Sequence, residues 1–165
     1  MEPNTTTGTA TPLAPPARAL VLVEILTVGL PFCVFKLACG LPLTATSSLG
    51  LRLLGWGLVG VGGVDTLLNV LSAIWVGIAG RRKLPVCCLQ ALTLAVRPSV
   101  RGGNVGTALD MMLSFSLVAW MIGSGALGTL TPGWLSSWNL AVVLNVLGAG
   151  ALRLAEVLIP PPAQK

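Results

Sequence analysis

The chain has 165 residues, 54% of them hydrophobic and 9% charged, and its mean hydropathy is +0.88. A soluble domain carries about 25% charged residues because its surface needs them, so this composition excludes an ordinary water-soluble globule and fits lipid as the solvent. The absence of histidine and tyrosine excludes Ser-His-Asp triads, imidazole bases, histidine-ligated haem or zinc and phenolic nucleophiles, and the net charge of +5, with no aromatics interleaved among the basic residues, does not point to a nucleic-acid partner.

Residues 1–18, MEPNTTTGTATPLAPPAR, are Thr/Pro-rich without apolar period and read as a disordered tail. Asn4-Thr5-Thr6 within it matches a glycosylation triplet, which needs a secretory context. Residues 19–39 are the first apolar stretch; about 20 helical residues cross a bilayer core, and Pro31 is expected to kink this helix. Residues 53–80 are longer than a span requires, so this helix is expected to tilt or to begin outside the core. Residues 84–96 are apolar but too short to span, with basic residues on both sides. They are expected to lie as a helix in the interface, a re-entrant segment being the alternative. Residues 105–127 and 135–159 complete the set, and 160–165 form a tail. The expected fold is an all-α integral membrane protein, four transmembrane helices in a compact bundle with one short interfacial helix.

Arg81, Arg82, Lys83, Arg97 and Arg101 crowd the 81–103 loop, which the positive-inside rule places in the cytoplasm together with both termini. The membrane would be a plasma or bacterial inner membrane. Lys36 and Arg52 mildly oppose that orientation. The uncharged GTLTPGWLSSW loop before the fourth helix places Trp134 and Trp138 at an outer interfacial belt. Cys33, Cys39, Cys87 and Cys88 form no C-x-x-C and read as small apolar residues. LLNVLSA at 67–73 is echoed by VLNVLGA at 143–149, the pattern of a parallel duplication or of two Leu/Val/Ala-rich helices that match by chance.

GWGLVGVGGVD, residues 55–65, opens with the G-x-G-x-x-G spacing of a dinucleotide site. Such a site needs a strand before it and an acidic residue about 20 positions on; here a long apolar helix follows and Arg81-Arg82 stand at that distance. In lipid, small residues serve instead to let helix backbones approach. Helical spacing puts Gly55, Gly62, Asp65, Asn69 and Ser72 on one face, a packing groove running into a polar seam, with Leu58, Leu67, Leu71 and Trp75 mostly elsewhere. Small pairs recur at Ala73/Gly77, Ala119/Gly123 and Ala151/Ala155.

Ionisable groups within a span cost about 2.5–3.5 kcal/mol each on insertion scales and mark functional sites by default. Depth sorts them. Glu24 and Asp110 each lie about 9 Å inside the cytoplasmic end at 1.5 Å per residue, and Arg153 and Glu156 are spaced to pair near the same end. Those four form an expected inner-leaflet ionic cluster. Asp65 lies roughly 20 Å in, with Asn69 one turn below and Asn145 at comparable depth, and its partner would be basic only if Lys36 or Arg52 reached inward. A carboxyl so placed is either the titrating group of a coupled transporter or a structural hydrogen-bonding group.

Three partial motifs fail on their residues. Gly62-Gly63-Val64-Asp65 departs by one position from the G-x-G-D of intramembrane aspartic proteases, and the depths above put Asp65 and Asp110 about 10 Å apart. Lys36-Leu37-Ala38-Cys39 is similar to a lipoprotein cleavage box but has lysine where leucine is wanted. Ser124 has no histidine to activate it. The function expected is a non-enzymatic multi-pass membrane protein, a small helix-packing subunit or self-associating scaffold without cofactor, whose partners are the bilayer and other membrane helices. The alternative is a small proton- or cation-coupled transporter or channel using Asp65 and Asn69; an enzyme acting on lipid is a third reading.

Overall fold

The computed structural model describes residues 15–80 and 84–158, apart from the side chains of Pro16 and Glu156. The Asn4 triplet, Arg81–Lys83 and the tails at 1–14 and 159–165 lie outside the described residues. Four helices are long and apolar enough to cross a membrane, and the described residues contain no strand. The first span is α1 (Pro15–Glu24), a π-helical turn (Ile25–Gly29) and α2 (Leu30–Thr44). It is followed by α3 (Leu49–Ala79), the short α4 (Cys88–Val96), α5 (Val100–Gly123), a 3-10 turn (Ala126–Thr129) and α6 (Pro132–Leu158).

The π turn answers Pro31. Proline has no N–H to give the carbonyl one turn back, and its ring crowds that carbonyl; a locally widened turn absorbs both effects without ending the span. The helix continues past the expected end at residue 39 to Thr44 and takes in Pro15–Arg18, which by composition belong to the expected tail. The third span, by contrast, stops at Gly123 rather than 127, because Gly125 turns left-handed at φ +72°.

Glycine sets how closely α2 and α3 meet. A Cβ on Gly55 would lie 2.7–2.9 Å from Thr44 N, Leu43 C and Gly40 O, all backbone, and one on Gly62 would lie 3.1 Å from Lys36 Cβ. Gly57, Gly60 and Gly63 have nothing within 4 Å of the same position, as do Gly77 and Gly123 of the small-residue pairs. Two of the five clustered glycines therefore pack inside this chain and three face outward. The buried stripe of α3 is Gly55, Leu58, Gly62, Asp65, Asn69, Ser72 and Val76, so Leu58 belongs to the packing face rather than beside it.

The apolar core joins Phe35, Ala38, Cys39 and Leu43 of α2 to Leu58, Met121, Trp138 and Ala141. Trp138 is 2% exposed and its ring centroid is 4.9 Å from that of Phe35. It is a core residue, not a member of an interfacial belt; one end of α6 is docked on α2 and carries the indole inward. Polarity is inverted relative to a soluble fold. Lys36, Asp65, Asn69, Ser72, Asp110, Ser114 and Asn145 are buried, while Leu53, Trp56, Leu67, Ile78, Met112, Leu147 and Val157 are exposed. A surface this apolar requires hydrocarbon around it, and the chain is an integral, multi-pass membrane protein.

Candidate functional site

Three helices each deliver one ionisable side chain to a single point. Lys36 of α2 donates from Nζ to Asp65 Oδ2 of α3 at 2.5 Å and to Asp110 Oδ1 of α5 at 2.5 Å. The side chains are 0%, 1% and 8% exposed. A buried charge is tolerated only when paired and hydrogen-bonded, and here one ammonium serves two carboxylates.

The second oxygen of Asp65 is occupied from another direction. Oδ1 accepts the backbone N–H of Cys88 at 2.6 Å, the first residue of α4. The carboxylate thus meets a helix N terminus, where unsatisfied N–H groups and the helix dipole favour negative charge. Asn69, one turn along α3, donates to Val86 O at 2.7 Å and to Asp65 O at 2.9 Å. Ser72 Oγ, a further turn on, lies 3.5 Å from Pro85 O. The chain before α4 is held in shape locally: Cys87 Sγ accepts from Gln90 N at 3.4 Å and Gln90 Oε1 accepts from Val86 N at 2.7 Å, a reciprocal cap of the capping-box type. Gly106 of α5 lets α4 settle against it, a Cβ there falling 2.5 Å from Gln90 Cα and 2.6 Å from Leu89 O.

The short fifth helix expected from the sequence is present, but its N-terminal end is not at the interface. It reaches Asp65, which is 14 residues from the C-terminal end of α3 and so about 21 Å along it at 1.5 Å per residue. That end is packed inside the bundle, and the other end, with exposed Val96 and Arg97, emerges at the surface of the fold. Burial pushes the Cys87 thiol up to about 11 and the Cys88 thiol up to about 12, with neighbouring Asp65 adding to the rise at Cys88.

Asp65, Asn69 and Ser72 come together as one seam. Asn145 does not join them: it lies with Glu24, Phe32, Phe115 and Arg153 along a groove of about 500 Å³ between α1, α5 and α6, which borders the cavity of Asp65 and Asn69 at Glu24, Val28, Phe32 and Met111. Asp110 leaves the expected inner-leaflet cluster for Lys36. It lies deeper than expected because α5 begins at Val100, five residues before the expected start, which sets Asp110 about 15 Å from the helix end. Asp65 and Asp110 are therefore bridged by one ammonium rather than separated by depth. Glu24 and Arg153 share the groove, and the Glu156 side chain lies outside the described residues.

From the sequence Lys36 is a weak topology signal and a partner for Asp65 only on the condition that it reaches inward, a condition the structure meets. A first span ending at residue 39 puts it near a membrane surface, whereas α2 runs on to Thr44. The signal that could have located it is a lone lysine on an apolar helix face, in a chain with two aspartates in other spans and no other basic residue at their depth. Lys36, Asp65, Asp110, Asn69, Cys87 and Glu24 line one cavity of about 40 Å³, room for a water or a small cation. Among the described residues no group of three His, Cys, Asp or Glu side chains is arranged to hold a metal ion. No family model matches the chain, and no curated protein or solved structure is detectably similar to it.

Proposed function

We propose that the protein is a non-enzymatic membrane protein that carries or conducts a monovalent cation, the proton foremost, at the Lys36–Asp65–Asp110 site. The observation that carries the reading is the charge count of a buried site assembled from three separate helices: two carboxylates on one ammonium. One negative charge is left over in hydrocarbon, and a proton or small cation is what neutralises it. A carboxylate that can be neutralised by a mobile cation, beside a cavity and the N-terminal end of α4, has the parts of a coupling site. The charge of the 81–103 loop orients that loop and both termini to the cytoplasm.

Proteoliposomes loaded with a pH-sensitive dye test this. Wild type should dissipate an imposed proton or sodium gradient, and Asp65→Asn and Asp110→Asn should fall to the level of empty vesicles while retaining the folded elution profile. Wild-type flux equal to that of empty vesicles for both ions overturns the reading. A second reading, a helix-packing subunit or self-associating scaffold, is favoured by Gly57, Gly60 and Gly63, which offer backbone to an outside helix. Native mass spectrometry in detergent that finds monomer alone, without a co-purifying partner, counts against it.

A further inference from the structure

We infer that the buried site is reached from the end of the bundle that carries α4, the start of α5, the start of α1 and the end of α6, and not from the opposite end, by a half-channel along α5 with Glu24 as the cation-receiving carboxylate at its neck; this rests on the transport reading above. A groove of about 470 Å³ runs along one face of α5, lined by Val100, Asn104, Thr107 and Ala108, with Gln90 of α4 and Glu24 of α1 opposite. Val100, Asn104 and Ala108 are exposed. Glu24, Thr107 and Met111 line this groove and also the inner cavity that holds Lys36, Asp65 and Asp110. Groove and cavity therefore share these three residues; the groove between α1, α5 and α6 borders the cavity too, at Glu24, Val28, Phe32 and Met111, and Glu24 is the ionisable residue common to all three.

Along α5 the path from Val100 to Asp110 is about 15 Å. Beyond Lys36 the bundle is filled by Ala38, Cys39, Leu43, Leu58, Met121 and Trp138, all buried. Access is thus open on one side of the charged site and packed shut on the other, the asymmetry that a one-sided loading state requires. Among the described residues that line the two grooves and the cavity, the charged and titratable groups facing Glu24 are Arg153 of α6, in the groove they share, and Cys33, Cys87, Lys36, Asp65 and Asp110 across the cavity. A proton taken by Glu24 from the groove passes through the cavity to a carboxylate of the site, and Glu24 is left ionised to accept the next.

The test combines flux with one-sided labelling. Glu24→Gln should lower proton flux about a hundredfold or more, within the roughly 10²–10⁴-fold typical of a positioned acid–base group, and Glu24→Asp should recover part of it. In a background with the four native cysteines replaced, Asn104→Cys and Ala108→Cys should react with a membrane-impermeant thiosulfonate applied to the α4–α5 side only, and Met121→Cys from neither side. If Glu24→Gln matches wild type while Asp65→Asn abolishes flux, the role of Glu24 fails and the transport reading stands. If wild type carries no flux, both the reading and the role of Glu24 fail, and labelling still decides the path. Reaction of Ala108→Cys from the opposite side, or of Met121→Cys from either, overturns the half-channel.

Discussion

Replacing Lys36 with methionine is the most informative perturbation of stability, because it removes charge while nearly conserving volume. In wild type the ammonium is fully buried and donates to both Asp65 and Asp110. Removing one partner of a buried ion pair typically costs about 3–5 kcal/mol, since an uncompensated charge is left behind; here a single substitution strands two carboxylates. Asp65→Asn acts differently. It leaves Lys36 and Asp110 as a neutral one-to-one pair, and an amide oxygen can still accept from Cys88 N, so the loss is that of one charged hydrogen bond, about 1.5–3 kcal/mol. Lys36→Met should therefore lower the folded-to-unfolded ratio by about 10²–10⁴-fold, at 1.4 kcal/mol per factor of ten. The triple change Lys36→Met, Asp65→Asn, Asp110→Asn removes every charge and should recover most of the loss, a coupling that single variants cannot reveal. The measurement is unfolding in mixed dodecyl sulfate micelles followed by tryptophan fluorescence, since Trp138 packs on Phe35 in the core. A cost below about 1 kcal/mol for Lys36→Met, less than one typical charged hydrogen bond, or a triple variant no more stable than Lys36→Met, would refute the assignment of a shared ammonium.

Gly55→Ala should destabilise by about 1–3 kcal/mol, because the new methyl group meets only backbone and the helices must part. Gly57→Ala, with open space around it, should be neutral or stabilise by up to about 1 kcal/mol through helix propensity; equal effects at the two positions would contradict the packing described. Asn69→Leu removes the bond to Val86 O, so amide exchange at Val86–Cys88 should accelerate, and unchanged protection there would show that α4 is held by other contacts. With thiols pushed up to about 11 and 12, Cys87 and Cys88 should alkylate at pH 8 at least about a hundredfold more slowly in the folded protein than after unfolding, where an ordinary thiol near 8.5 is partly ionised. The sign of the linkage follows: stability from these neutral thiols is full below about pH 8.5 and is lost as pH rises through 11 and 12. Rapid alkylation of the native protein at pH 8 would remove that expectation.

The number of spans and the membrane setting were legible because both follow from composition over windows of about 20 residues. The buried stripe of α3 was legible for a similar reason: 3.6-residue spacing alone aligns Gly55, Gly62, Asp65, Asn69 and Ser72. Depth was harder to read. It depends on where each helix starts, and α2 and α5 each run five residues past the bounds expected at one end. Those five residues are what separate Lys36 and Asp110 from Asp65 when depth is counted along the sequence. The depth of α4 was hidden as well, because the bonds that draw it inward join residues 17 to 23 positions apart in sequence.

The amino-acid order by itself determined that this chain dissolves in hydrocarbon, how many times it crosses, and which face of its longest helix is small and polar. Those properties are local, set by side-chain transfer free energy and helical geometry. Only the tertiary structure decided that one lysine and two aspartates from three helices form a single site, capped by the N-terminal end of the short helix α4. A buried charge in lipid has few ways to be compensated, and which partner it takes depends on how four rigid helices stack. No local pattern in the sequence encodes that stacking.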